Sequence, residues 1–206
     1  LPRQKPIEIQ SEQEVEQIMA QASRRGPTGI RNRALIAALY YAGLRVGEVL
    51  ALVPRDVDLE RGEINVRRGK GAKQRLAVIS EPGIASLELW LRTRTEFGLS
   101  PRAPLFCTIS QGANALSSEG RTMKPGTALS QPYIWTMLRR YAEKAGIEKR
   151  VHPHGLRHSH AVRLTRRGVP SSDIQGQLGH SSLATTSLYL DSVAPVDRAQ
   201  VIKAAG

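Results

Sequence analysis

Between Val57 and Val78 the spacing of apolar residues changes, and that change constrains the fold more than any other feature. Val57 and Leu59 alternate with polar neighbours, Arg61-Gly62 makes a turn, and Ile64-Asn65-Val66 resumes the alternation. A basic, glycine-punctuated stretch follows, Arg68-Gly69-Lys70-Gly71-Ala72-Lys73, and then Leu76, Val78 and Ser80 suggest a third extended segment. Alternation with period two puts every second side chain on one face of a strand, and short polar turns join antiparallel neighbours. The window therefore predicts a small antiparallel sheet of three strands with a cationic hairpin tip.

On both sides of this window the spacing is helical. Ser11 with Glu14 three positions later forms a capping box, and Val15, Ile18, Met19 and Ala22 follow on one face. Gly26-Pro27 breaks that helix, and Thr28 is the candidate cap for the next. There Ala34, Leu35, Ala38, Leu39 and Ala42 spread over so wide an arc that the helix must be largely buried. Gly43 ends it, and Gly43-Leu44-Arg45 turns into a short helix with Val46, Val49, Leu50 and Leu52 on its inner side, stopped by Pro54. After the sheet, Ser80-Glu81-Pro82 opens a helix with Leu87, Leu89, Trp90 and Leu91 facing the core. The stretch from Pro101 to Ser130 is irregular, rich in Gly, Ser and Pro, apart from a short Leu105-Phe106-Cys107 segment, and is expected to be the flexible loop of the domain. Helices are then expected from Gln131 to Ala145, from Pro153 to Arg167, from Ser171 to Gly179, after Ser181 or Ser182, and from Pro195. The sum is mainly α with one small three-stranded antiparallel sheet, in a single compact domain over 11–206, with 1–10 as an interdomain linker. The chain opens on Leu1 rather than Met, as a fragment or processed product would.

Charge points to the partner. Thirty Lys and Arg against eighteen Asp and Glu give a net charge of +12, which favours a polyanion, and nucleic acid before other classes. The lone Cys107 cannot form an internal disulfide, as in proteins of a reducing interior. No apolar run approaches the ~20 residues of a membrane span, and no signal peptide is visible, so a cytoplasmic protein is expected.

The chemistry concentrates between His152 and Tyr189. His154 and Arg157 share a helical face. A guanidinium binds the non-bridging oxygens of a phosphodiester as a fork, and an imidazole moves protons near neutral pH. His154 and His158 are also at metal-ligand spacing, but Gly155 and Leu156 stand where a zinc protease helix carries its glutamate, so no metal is expected. His180 and Tyr189 follow; singly each reads as a capping histidine and a core tyrosine, and only together with His154 and Arg157 do they suggest a site.

Five segments then carry a resemblance: Gly43-Leu44-Arg45-Val46-Gly47-Glu48; Gly69-Lys70-Gly71-Ala72-Lys73-Gln74-Arg75; His154-Gly155-Leu156-Arg157-His158; Leu178-Gly179-His180-Ser181; and Thr185-Thr186 with Tyr189. In this order and spacing they resemble the tyrosine recombinase family, which includes phage integrases, integron integrases and Xer-type resolvases. The resemblance covers nearly the whole chain. It implies the DNA breaking-rejoining fold and a site-specific strand transferase that needs no metal, cofactor or ATP. It implies Tyr189 as the nucleophile forming a 3′-phosphotyrosine, Arg45 and Arg157 on the charged phosphorane oxygens, and His154 as general base. Lys70 becomes the general acid in preference to Lys73, His180 a hydrogen-bond donor to the phosphate, and Glu48 a support for the site. Arg68, Lys73, Arg75 and His158 are expected to contact DNA. The resemblance further implies a double-stranded recombination site as partner, a tetramer on synapsed DNA for the full-length protein, a monomeric fragment, and an N-terminal core-binding domain absent from this chain. Gly47 departs from the small polar residue of many relatives, and His160 from a large apolar one; His160 is read as packed, without a catalytic role. A type IB topoisomerase, which uses the same residue types, and a non-catalytic DNA-binding regulator on this fold are the competing readings.

Overall fold

A computed structural model describes residues 8–67, 74–109 and 124–179. The elements in chain order are α1 (Glu12–Ala20), α2 (Pro27–Tyr41), α3 (Val46–Ala51), a 3-10 turn (Pro54–Asp56), β1 (Val57–Asp58), β2 (Glu63–Val66), β3 (Arg75–Val78), α4 (Glu81–Glu96), α5 (Gln131–Lys144), α6 (Pro153–Arg166) and α7 (Ser171–Leu178). The strands form one antiparallel sheet in the order β1-β2-β3, with Ile64 opposite Ala77 and Glu63 opposite Val78. Among the described residues no helix is long and apolar enough to cross a membrane.

Helix α2 is the centre of the core. Every residue from Ala34 to Ala42 is buried, as expected of a helix apolar on all sides. It packs on α4 and α6 and touches α1 and α3. The approach of α4 depends on Gly83, where a Cβ would stand 2.5 Å from Ile79 Cγ1 and 2.9 Å from Tyr41 Cβ. Arg163 of α6 ties four segments: it lies over the rings of Tyr40 and Tyr41, pairs with Glu12 at 3.3 Å and donates to Ser80 Oγ at 3.2 Å.

Local signals account for most element ends. The capping box at Ser11 is present in both directions, with Glu14 N donating to Ser11 Oγ at 3.1 Å and Ser11 N donating to Glu14 Oε2 at 2.7 Å. Helix α2, by contrast, is capped by Gly26 with Pro27 in its first turn, and Thr28 lies inside it. Proline at the first helical position already supplies the helical φ, and its missing N–H is one that would have no partner within the helix. Ser80 is the N-cap of α4 rather than part of β3.

The stretch after Pro101 is pinned at both ends. Leu105, Phe106 and Cys107 are fully buried, Cys107 pairs with Ala128, and Trp90 Nε1 donates to Leu105 O at 2.9 Å. Arg94 gathers the same turn, donating to the carbonyls of Ser100 at 2.7 Å, Pro104 at 2.7 Å and Leu105 at 3.0 Å. Residues 110–123 lie outside the described residues. In β3, Leu76 and Val78 face solvent, 52% and 56% exposed, while Arg75 and Ala77 point inward. The inward space beside Arg75 is occupied by Glu48, so a charge rather than an aliphatic group fits there.

Residues 8–10 lie against α6. Gln10 N donates to Ser159 Oγ at 2.9 Å, and Gln10 Nε2 donates to Arg150 O at 3.3 Å.

Candidate active site

The site forms where α2 ends. Gly43 adopts φ +62°, and a Cβ there would stand 2.5 Å from His160 Cδ2 and 3.0 Å from Leu178 Cδ2. Only glycine allows both the left-handed turn and this approach. The turn sends Leu44 into the core and leaves Arg45 as the N-cap of α3. Glu48, one turn later, reaches back: its Oε2 accepts from Arg45 N at 2.8 Å and its Oε1 from Arg45 Nη1 at 2.9 Å. The carboxylate thus satisfies a helix-start N–H and fixes the guanidinium of the same residue.

Glu48 serves two further arginines. Arg75 Nη2 donates to its Oε2 at 2.7 Å, with both side chains about nine-tenths buried, and Arg157 Nη1 stands 3.9 Å from the same oxygen. Arg157 comes from the second turn of α6 and is 5% exposed in its side chain. Its fork closes on main-chain oxygens, Nη1 to Gly43 O at 2.6 Å and Nη2 to Leu178 O at 2.5 Å. Arg45 leans on the same region, with Nη1 3.4 Å from Leu178 O and Nη2 3.3 Å from Gly179 O. Leu178 O and Gly179 O are available because α7 ends at Gly179, in the left-handed conformation, leaving its last carbonyls without helical partners. Three guanidiniums around one carboxylate leave an excess of two positive charges, which suits a dianionic phosphorane.

The start of α6 is held separately. His152 Nδ1 accepts from Gly155 N at 3.1 Å as the N-cap, and its ring stacks on Trp135 of α5 at 5.4 Å. Burial, and then the nearby Arg150 and His154, hold the His152 pKa down. His154 is exposed, next to this cap, with its ring 6.4 Å from that of His158. His158 is half-buried and pushed down to about 4, first by burial and then by His154, His152 and Arg157.

The structure therefore brings together Arg45, Glu48 and Arg157, with His154 at the mouth of α6. Two residues expected at DNA, Arg75 and His158, lie among the described residues. Arg75 is turned inward onto Glu48, within the arginine cluster. For His158, burial and then the neighbouring His154, His152 and Arg157 disfavour the charged form in the DNA-free chain. Lys70, Arg68, Lys73, His180 and Tyr189 lie outside the described residues. Among the described residues no group of three His, Cys, Asp or Glu side chains could hold a metal ion. Arg75 is expected from sequence at DNA, whereas its alternation with the buried Ala77 sets it on the inner face. Gln177 and the His152–Trp135 stack went unread; they carry no local signal beyond ordinary helix positions.

Comparison with known proteins gives a consistent result. The profile described as "Phage integrase family" matches residues 9–194. The chain is 40% identical over 163 residues to tyrosine recombinase XerA of Thermococcus kodakarensis, covering 79% of this chain and 51% of that protein. It is 35% identical over 198 residues to tyrosine recombinase XerD of Xanthomonas axonopodis pv. citri, covering 92% and 59%. Among solved structures, the crystal structure of XerA recombinase superposes with a TM-score of 0.75 at 30% identity, covering 96% of this chain and 65% of that one. XerH bound to a palindromic difH substrate, in a post-cleavage complex, superposes with a TM-score of 0.71 at 28% identity, covering 98% and 53%. The chain spans 51% and 59% of the length of the two relatives named.

Proposed function

Since the chain belongs to the phage integrase family, we propose that it is the catalytic domain of a site-specific tyrosine recombinase acting on double-stranded DNA. The observation that carries the reading is the convergence of Arg45 and Arg157, distant in sequence, on the single carbonyl of Leu178. Two guanidiniums fixed side by side by main-chain oxygens and Glu48 form a receptor for one phosphate, preorganised before substrate arrives. The complex of XerH with its DNA site supports the same partner here.

In this reading Tyr189 attacks the scissile phosphorus. Its phenolic proton passes to His154, a bond forms between the tyrosine oxygen and phosphorus, and the bond from phosphorus to the 5′ oxygen breaks. Lys70 protonates that leaving oxygen, so a free 5′-hydroxyl departs. Arg45 and Arg157 carry the extra negative charge on the non-bridging oxygens, His180 donates a further hydrogen bond, and Glu48 holds Arg45 in place. The phosphotyrosine ester keeps the energy of the broken bond, so attack by a 5′-hydroxyl from a partner strand rejoins DNA without ATP. Arg68 and Lys73 hold the DNA backbone. The domain works on chromosomal or mobile-element DNA in the cytoplasm, within a tetramer on two synapsed sites, joined through residues 1–10 to an N-terminal DNA-binding domain.

The test is covalent capture. The chain is incubated with a randomised library of nicked duplexes, and DNA that stays attached through denaturation is sequenced. Recovery of one consensus, abolished by Tyr189→Phe and unaffected by EDTA, is the expected result. Adducts that persist with Tyr189→Phe would overturn the nucleophile assignment, and adducts without any consensus would overturn site specificity.

A further inference from the structure

The open edge of the sheet is closed by a side chain. Strand β3 is at the edge, with Val78 presenting its N–H and C=O away from β2. Gln177 of α7 takes both: Val78 N donates to Gln177 Oε1 at 2.9 Å, and Gln177 Nε2 donates to Val78 O at 2.7 Å. The same Nε2 donates to Ala42 O at 3.0 Å. The amide orientation follows from its partners, because the Val78 N–H can only donate and the two carbonyls can only accept. One primary amide thus does what a residue of a fourth strand would do, and also ties in the end of α2.

The position of these bonds gives them a second meaning. Ala42 precedes Gly43, and Gln177 precedes Leu178. Gly43 O and Leu178 O are the two oxygens on which the Arg157 fork closes. Gln177 therefore clamps together, one residue upstream on each chain, the two segments whose carbonyls aim Arg157. It also fixes them to β3, whose other end sends Arg75 to Glu48 and so to Arg45. Strand β3 is bonded to the arginine cluster at both ends, through Glu48 at Arg75 and through Gln177 at Val78.

We propose that Gln177 is a positioning residue for phosphoryl transfer: it sets the separation of Gly43 O and Leu178 O and couples it to strand β3. This rests on the reading of the arginine cluster as a phosphate receptor. The chemistry is specific to glutamine. A glutamate still accepts from Val78 N but turns its other oxygen on two carbonyls. A methionine fills the space and supplies no donor and only a weak acceptor. An asparagine is one methylene too short to reach both segments.

The test compares Gln177→Met and Gln177→Glu with the wild-type chain on nicked duplexes carrying the captured consensus, in single turnover at saturating protein. Cleavage is expected to fall about tenfold for Met and about a hundredfold for Glu, with DNA affinity within about twofold of wild type. A second substrate carries a neutral methylphosphonate at the scissile position, which lacks the charge that the arginines stabilise. There the penalty is expected to shrink to about threefold or less. A general structural defect would cost the same on both substrates, and that result overturns the proposal, as does cleavage within about twofold of wild type for both variants. NMR keeps the outcome separate from the functional reading. In Gln177→Met, the Val78 amide should lose hydrogen-exchange protection and the Arg157 side-chain resonances should move. If wild type forms no adduct, the functional reading fails; if the arginine resonances stay in place, the coupling fails.

Discussion

Lowering the pH from about 7.5 to about 5 is expected to destabilise the domain through one side chain, His160. It is 1% exposed, packed under Gly43 and beside Arg163. Neither ring nitrogen makes a well-formed hydrogen bond among the described residues. Burial pushes its pKa down to about 3, assisted by the charges of Arg163, Arg157 and Arg75 and only partly opposed by the Tyr40 carbonyl. In the unfolded chain the same imidazole titrates near 6.5. Above that value both states are neutral and His160 contributes no pH dependence. Below it the unfolded state binds a proton that the folded state refuses, so stability falls as pH drops toward 3. At about 1.4 kcal/mol per pH unit, the interval from 6.5 to 5 costs about 2 kcal/mol. The assay is urea unfolding of wild type and His160→Leu, a replacement of similar volume, at both pH values. The difference between the two proteins cancels the titration of every other group. Wild type should lose about 2 kcal/mol more than the variant, or about 1 M in urea midpoint at a slope near 2 kcal/mol/M. Equal losses in the two proteins would refute the argument and show that His160 takes up its proton without strain in the folded state.

Glu48→Gln keeps the shape and removes the charge between three guanidiniums; it should cost about 2–4 kcal/mol in urea unfolding, and a loss below about 0.5 kcal/mol would dismiss the carboxylate as the keystone of the cluster. Arg157→Lys leaves one ammonium where a fork spans Gly43 O and Leu178 O, and single-turnover cleavage should drop about a hundredfold or more; a rate near wild type would contradict the role of the fork. Two glycines should respond oppositely in thermal melts. Gly83→Ala forces a methyl against Ile79 and Tyr41 and should cost about 1–3 kcal/mol. Gly47→Ala meets open space in α3 and should gain up to about 1 kcal/mol. The reverse order would mean that backbone entropy and packing have been misassigned at both.

Where a signal is local, the sequence carried it. The Ser11–Glu14 box, the stops at Gly43 and Gly179, and the three-stranded sheet are all set by residues close to one another in sequence. The pairing of Arg45 with Glu48 falls in the same class, since three residues on a helix start determine it. What escaped was decided by distant partners. Arg94 organises the turn after Ser100 by collecting carbonyls, and no pattern in that turn announces an arginine on α4. The aliphatic residues of β3 mark a strand without telling which face is inner; the inner space is taken by Glu48, so Leu76 and Val78 face outward. Arg31 shows the same limit: it is buried against Cys107 O, Asn32 and Tyr133, a neutral set drawn from three parts of the chain.

Arg157 is anchored on main-chain oxygens, and that changes what mutation can reach. A carboxylate anchor disappears with one codon; the oxygens of Gly43 and Leu178 are present whatever side chains those positions carry. Side-chain variation there can disturb the arginine only by moving the path of the backbone. The aim of the guanidinium is thus inherited from the course of the chain, and sequence drift around it is filtered by shape rather than by chemistry.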